Sequence, residues 1–148
     1  MAVEKKLARV LSSTRSQKQE GISNIRYVIL DIEWFFEGVF AEDSFDAVTI
    51  NFPDPWPKPR HHKHRFISPE FAATLSRIAR PGARLTFATD NYRYTREAAA
   101  TFENHESWKN NVGPFMARGE MPGRPVSFFE GIHRREGAPI YFLEYLKL

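Results

Sequence analysis

Residues 46–58 read Asp46-Ala47-Val48-Thr49-Ile50-Asn51-Phe52-Pro53-Asp54-Pro55-Trp56-Pro57-Lys58. The first half is apolar and β-branched, as in a strand covered on both faces; the second half breaks into prolines, which supply no donor to a ladder. A buried strand is therefore expected to stop at Asn51. Two other runs repeat the form: Arg26-Tyr27-Val28-Ile29-Leu30 ends at Asp31, and Arg84-Leu85-Thr86-Phe87-Ala88-Thr89 ends at Asp90. Val3, Leu7, Val10 and Leu11 recur at helical spacing, which predicts an amphipathic helix over residues 2–20 that stops at Gly21. A turn or two of helix is expected within Ile32 to Phe40. Ser68 as N-cap and Pro69 at the first helical position open a helix with Phe71, Leu75 and Ile78 on one face, ended by Pro81-Gly82. Thr95, Ala98, Ala99 and Phe102 mark another. Residues 104–124 show no period and read as a long loop, and Ile140 to Tyr145 as a strand paired with Val126 to Phe129.

Helices alternating with apolar strands argue for an α/β sheet whose ligands gather at the carboxyl ends of the parallel strands. Asp31, Asn51 to Asp54, and Asp90 all occupy such ends. With 148 residues, 42% of them hydrophobic, the chain is expected to form one domain over residues 1–148. The absence of cysteine excludes a disulfide framework and a thiolate metal site. No apolar run approaches the ~18 residues of a membrane span. The start MAVEKKLARV lacks the apolar core of a secretory signal, so a soluble cytoplasmic protein is expected.

The net charge of +3 matters where it is concentrated, in Lys58, Arg60, Lys63 and Arg65 with His61, His62 and His64 between them. Alone, such a run reads as a solvated loop. Here Trp56 adjoins it as a stacking surface, and the cations can neutralise phosphates, the combination expected of a nucleic-acid contact. A metal site on the histidines is disfavoured, because the interleaved cations repel a divalent ion. Pro53, Pro55 and Pro57 are expected to hold Phe52, Asp54 and Trp56 extended on a rigid ledge that places the Asp54 carboxylate reproducibly. Asp31 and Asp90 each also have a plain reading as helix caps.

NFPDPWPK followed by RHHKHR, then SPEF, a strand ending ATD, and finally RPVSFFE resembles the bacterial-type tRNA (guanine-N7-)-methyltransferase family over roughly residues 20–148. The resemblance implies a Rossmann-like fold that uses S-adenosylmethionine to methylate N7 of a guanosine in the tRNA variable loop. It makes Asp54 the catalytic acid, also near the methyl donor, and sets Asp31 against the donor's adenine. Lys58, Asp90, Ser127, Phe128, Phe129 and Glu130 become substrate contacts, with Phe128 departing from a usually polar position. Trp56 and the segment Arg60, His61, His62, Lys63, His64 and Arg65 become the RNA-binding face.

The family's opening strand, its glycine-rich G-x-G turn and a second strand ending in a ribose-binding acid have no counterpart in this reading. The expected fold is N-terminally incomplete, lacking the first two strands, with exposed strand edges that a second copy or a complementing chain would cover. Three readings stay open: an enzyme completed by another chain, a tRNA-binding accessory subunit that has lost the donor, and a foldable fragment.

Overall fold

The computed structural model describes residues 1–31, 38–56, 60, 65–113 and 117–148. Lys58, His61, His62, Lys63, His64 and most of the expected Ile32 to Phe40 helix lie outside the described residues. The chain divides into two compact units, Met1–Phe40 and Ala41–Leu148.

In the first unit, β1 (Ala2–Glu4) runs through α1 (Leu7–Gln19) to β2 (Tyr27–Ile29), a βαβ unit. The strands are parallel, with Ala2 opposite Tyr27 and Glu4 opposite Ile29. The ladder is extended by hydrogen bonds from the Ala2 N–H to the Arg26 carbonyl, 2.7 Å, and from the Leu30 N–H to the Glu4 carbonyl, 3.3 Å. The helix expected from residue 2 therefore begins only at Leu7, and an acid does close a strand ahead of it. A three-residue strand is too short for a period of two to declare itself against the helical pattern that follows. Gly21, at φ 69°, ends the helix region as expected, since this left-handed backbone is open to glycine without a Cβ penalty. Of the expected apolar face only Val10 is buried; Leu7 and Leu11 are more than half exposed.

The second unit is a five-stranded mixed sheet. Its elements are β3 (Phe45–Asn51), α2 (Pro69–Ile78), β4 (Ala79–Thr89), α3 (Tyr92–Glu103), β5 (Trp108–Asn110), β6 (Ala117–Arg118), α4 (Phe128–Arg135) and β7 (Tyr141–Lys147). The order is β3-β4-β7-β5, with β6 also on β7; β3 and β4 are parallel, and β7 is antiparallel to its neighbours. Ser68 accepts from the Phe71 N–H at 3.2 Å and Pro69 stands at the first position of α2, as anticipated. Pro81-Gly82 follows the helix inside a bulge, where the β3 register jumps from Phe45–Ala79 to Ala47–Arg84. The core lies where Phe71, Leu75 and Ile78 of α2 and Tyr94, Ala98 and Phe102 of α3 cover Leu85, Phe87, Leu143 and Tyr145. Trp108 closes one end, its indole N–H donating to the Ala72 carbonyl at 3.2 Å and its ring edge-on to Phe102.

Two expectations fail here. Residues 104–124 contain β5 and β6, both too short to show a period. Val126 to Phe129 is no strand: Ser127 caps α4 in a reciprocal capping box with Glu130, and β7 pairs with β4, β5 and β6 instead. Glu130 is buried and also accepts from Arg124 and from Arg134, the latter at 2.7 and 3.1 Å. Burial alone would raise its pKa; the hydrogen bonds from Arg134, Arg124 and the Ser127 N–H outweigh it and hold the carboxyl below its usual 4.5. Among the described residues, no helix is long and apolar enough to cross a membrane.

A carboxyl whose pKa is lowered on folding stabilises the fold above its unfolded pKa and loses that contribution as pH falls through the folded value. Stability should therefore decline below pH 4.5. Glu130→Gln should flatten that part of an acid titration followed by circular dichroism and cost on the order of 2 kcal/mol at neutral pH in urea unfolding. Ser127→Ala should cost about 1 kcal/mol by the same measurement.

Candidate functional site

The carboxyl ends of β3 and β4 define the site in the second unit. Beyond Asn51 the Phe52 N–H still donates to the Ala88 carbonyl at 2.7 Å, and there the chain leaves the sheet. Phe52 takes φ 48° and Trp56 φ 43°, both left-handed. The ledge is therefore not uniformly extended as the prolines implied. The proline bias on the preceding residue is overridden at both positions, at about 1–2 kcal/mol each. Each is held by contacts of its own. The Phe52 ring stacks on His133 of α4 at 5.1 Å and packs against Ala88, Ile140 and Phe142. The carbonyls of Pro55 and Trp56 accept from Arg65, at 2.6 Å from Nε and 3.3 Å from Nη2. Between these two anchors the Asp54 side chain is exposed.

Asp90 stands at the end of β4 next to this ledge. Its helix-cap reading fails, because Asn91 caps α3 by accepting from the Tyr94 N–H at 2.9 Å. The Asp90 carboxylate instead faces His133, with Oδ2 3.9 Å from Nδ1. Arg124 ties the third segment in. Its guanidinium donates to Asn51 and to Glu130 while lying 5.3 Å above the Phe142 ring. The NFPDP ledge, the Thr89-Asp90 turn and the start of α4 are thus joined by His133 and Arg124, two residues that sequence reasoning missed. Neither lies in a strand-end pattern; only the fold brings them to the ledge.

The carried-over residues divide. Phe128 and Phe129 are exposed, 77% and 47%, with their rings edge to face at 5.6 Å. Ser127 and Glu130, expected to contact substrate, are occupied inside the protein by the capping box and the arginines. Arg65, expected among the phosphate contacts, is a correction. Its side chain is 4% exposed, its Nη1 pairs with Glu97 and its guanidinium covers Tyr94 at 5.0 Å. A charge that neutralises phosphate must reach solvent, and this one does not. Arg60 is exposed and Trp56 half-buried.

In the first unit, Glu4 closes β1 and Asp31 follows β2, so two acids stand at neighbouring parallel strand ends. The Glu4 carboxylate accepts from the Lys6 N–H at 2.9 Å and from Arg9 at 3.4 Å, and Asp31 lies 3.7 Å from Lys5. Glu4 was missed in the sequence; the signal was the pair Ala2-Val3 running into an acid just ahead of the helix. Both side chains are partly open, 28% and 32%, and can accept hydroxyl and amine donors.

The family model described as "Putative methyltransferase" matches residues 1–142. A tRNA (guanine-N(7)-)-methyltransferase of Leptospira interrogans serovar Lai is 34% identical over 143 residues, covering 96% of this chain and 64% of that protein. The chain thus spans a little under two thirds of that relative's length. Among solved structures, a SAM-dependent O-methyltransferase from Thermotoga maritima superposes with TM-score 0.60 at 17% identity, over 99% of this chain and 49% of that one. The tRNA (m1A58) methyltransferase TrmI from Aquifex aeolicus gives 0.62 at 13%, over 99% and 52%. These likenesses establish the Rossmann-like methyltransferase fold, and the match over nearly the whole chain places the protein in that methyltransferase family.

Proposed function

We propose that the chain carries the guanine-binding side of a tRNA (guanine-N7-)-methyltransferase that uses S-adenosylmethionine. The observation that carries the reading is the exposed Asp54 on a doubly anchored ledge at the carboxyl end of β3, with Asp90 at the neighbouring strand end. Guanine N7 holds an in-plane lone pair, so it attacks the sulfonium methyl carbon without losing a proton. The C–S bond breaks as the N–C bond forms, and the electron pair leaves on the thioether sulfur. What the protein must supply is alignment and a negative field for the charge that grows on the purine. Asp54 and Asp90 supply both, accepting from guanine N1–H and the exocyclic amine. Lys58 is assigned to O6 or a phosphate, and Trp56, Phe128 and Phe129 to stacking of an unstacked base. Arg60 and the segment His61 to His64 are assigned to the RNA backbone.

For the donor, the acids at the ends of β1 and β2 fit an adenosine. An acid closing the strand before the helix suits the ribose hydroxyls, which assigns them to Glu4; Asp31 takes the adenine amine. The donor contributes the electrophilic methyl group. A cytoplasmic location, where tRNA is modified, belongs to the same proposal. So does a second copy or complementing chain at β3, the end strand of its sheet among the described residues.

Calorimetry with S-adenosylmethionine should show binding that Glu4→Gln weakens at least tenfold, about 1.4 kcal/mol. If tRNA binds but the donor gives no heat at millimolar concentration, the accessory-subunit reading replaces this one. Asp54→Ala should lower N7 methylation by about 100-fold or more with an unchanged circular-dichroism spectrum. Arg60→Glu with Lys63→Glu should reduce the slope of log affinity against log salt by roughly 1 to 2 units, and an unchanged slope would place the RNA elsewhere.

A further inference from the structure

The basic segment that the proposed function assigns to RNA begins and ends at one buried side chain. Pro55 and Trp56 precede it, Arg65 closes it, and the Arg65 guanidinium binds the backbone carbonyls of both. Its three nitrogens are all engaged: Nε on Pro55, Nη2 on Trp56 and Nη1 on Glu97 of α3. Glu97 is itself steadied from its own helix by Arg93, four residues earlier, at 3.1 Å. Below the guanidinium lies Tyr94, buried in the core and edge-on to Phe87 of β4. A chain of contacts thus runs from the sheet through α3 to the backbone directly after Asp54.

We propose that Arg65 is a positioning residue. It staples the two ends of the basic segment together, holds Trp56 in its left-handed conformation and thereby sets the direction of the Asp54 carboxylate. The inference rests on the reading of Asp54 and the basic segment given above, but the clamp itself can be measured without it. The geometry demands arginine. A guanidinium presents donors in a fixed planar fork that can meet acceptors on several sides, whereas an ammonium is a point donor on a flexible stem. Lysine at this position keeps the charge and loses the simultaneous hold on two carbonyls and a carboxylate. Because the side chain is closed off from solvent, it takes no part in phosphate binding, which separates it from the cations that follow Trp56 in sequence.

The test compares the whole wild-type chain with Arg65→Lys and with Glu97→Gln, which leaves Arg65 in place and removes only its charged partner. Amide hydrogen exchange of peptides spanning residues 52–66 should speed up by about tenfold or more in Arg65→Lys, and less in Glu97→Gln, while peptides from β4 and β7 keep their protection. The salt slope of tRNA binding should stay unchanged in both variants. The methylation rate at saturating tRNA should fall about tenfold to a hundredfold in Arg65→Lys, with KM for tRNA within about twofold. Exchange that is unaltered in both variants, or a loss of methylation in Arg65→Lys that lies wholly in a raised KM for tRNA, overturns the proposal. If Arg65→Lys does not fold, Glu97→Gln decides alone by the local exchange readout. A wild-type chain that neither binds tRNA nor methylates it sinks the proposed function, while the exchange result still judges the clamp.

Discussion

The hydrogen bond from the Phe52 N–H to the Ala88 carbonyl, 2.7 Å, is the last rung of the β3–β4 ladder and the point from which the site is hung. Up to Asn51 the backbone is held by its neighbour strand; beyond it the prolines leave few donors with which to pair. The chain must then be held by side chains. His133 takes Phe52 by stacking, Arg124 takes Asn51, and Arg65 takes Pro55 and Trp56. Loss of the rung would free the ledge from the sheet that sets the height of Asp54.

Two left-handed residues within five positions represent local strain on the order of 1–2 kcal/mol each. Such strain persists only where surrounding contacts overdetermine it, and both residues have such contacts. This arrangement is what a carboxylate needs if it is to meet a flat purine edge in one orientation. A conventional extended segment would have turned Asp54 with the pleat of the strand; the left-handed turns on either side take it out of that register.

Charge is handled in the same economical way. The arginines at the site do not all face outward: Arg65 and Arg124 are turned in, each pairing with a glutamate and capping an aromatic ring. Buried pairs of this kind stabilise little on balance but are costly to break on one side, so they act as geometric pins more than as sources of net stability. Arg60, by contrast, is exposed, and the proposed RNA contact rests on it and its sequence neighbours. A basic run is thus a mixture of roles that composition cannot sort.

Local rules were sufficient wherever the cause was local. Ser68-Pro69 announced α2, and the apolar runs before Asn51 and Asp90 announced β3 and β4, because capping and burial act over a few residues. The short strands β1, β5 and β6 escaped for want of length, and with β1 went Glu4. Val126 to Phe129 looked like a strand because its apolar residues outweighed the Ser127-x-x-Glu130 box. What pattern could not reach were decisions made across the fold. That Arg65 is buried against Glu97 and Tyr94, that Arg124 spans Asn51 and Glu130, and that His133 meets both Phe52 and Asp90 all depend on side chains up to 81 residues apart. Such contacts exist only after the sheet and its helices have packed, and desolvation then turns the same residue type from a phosphate ligand into a pin.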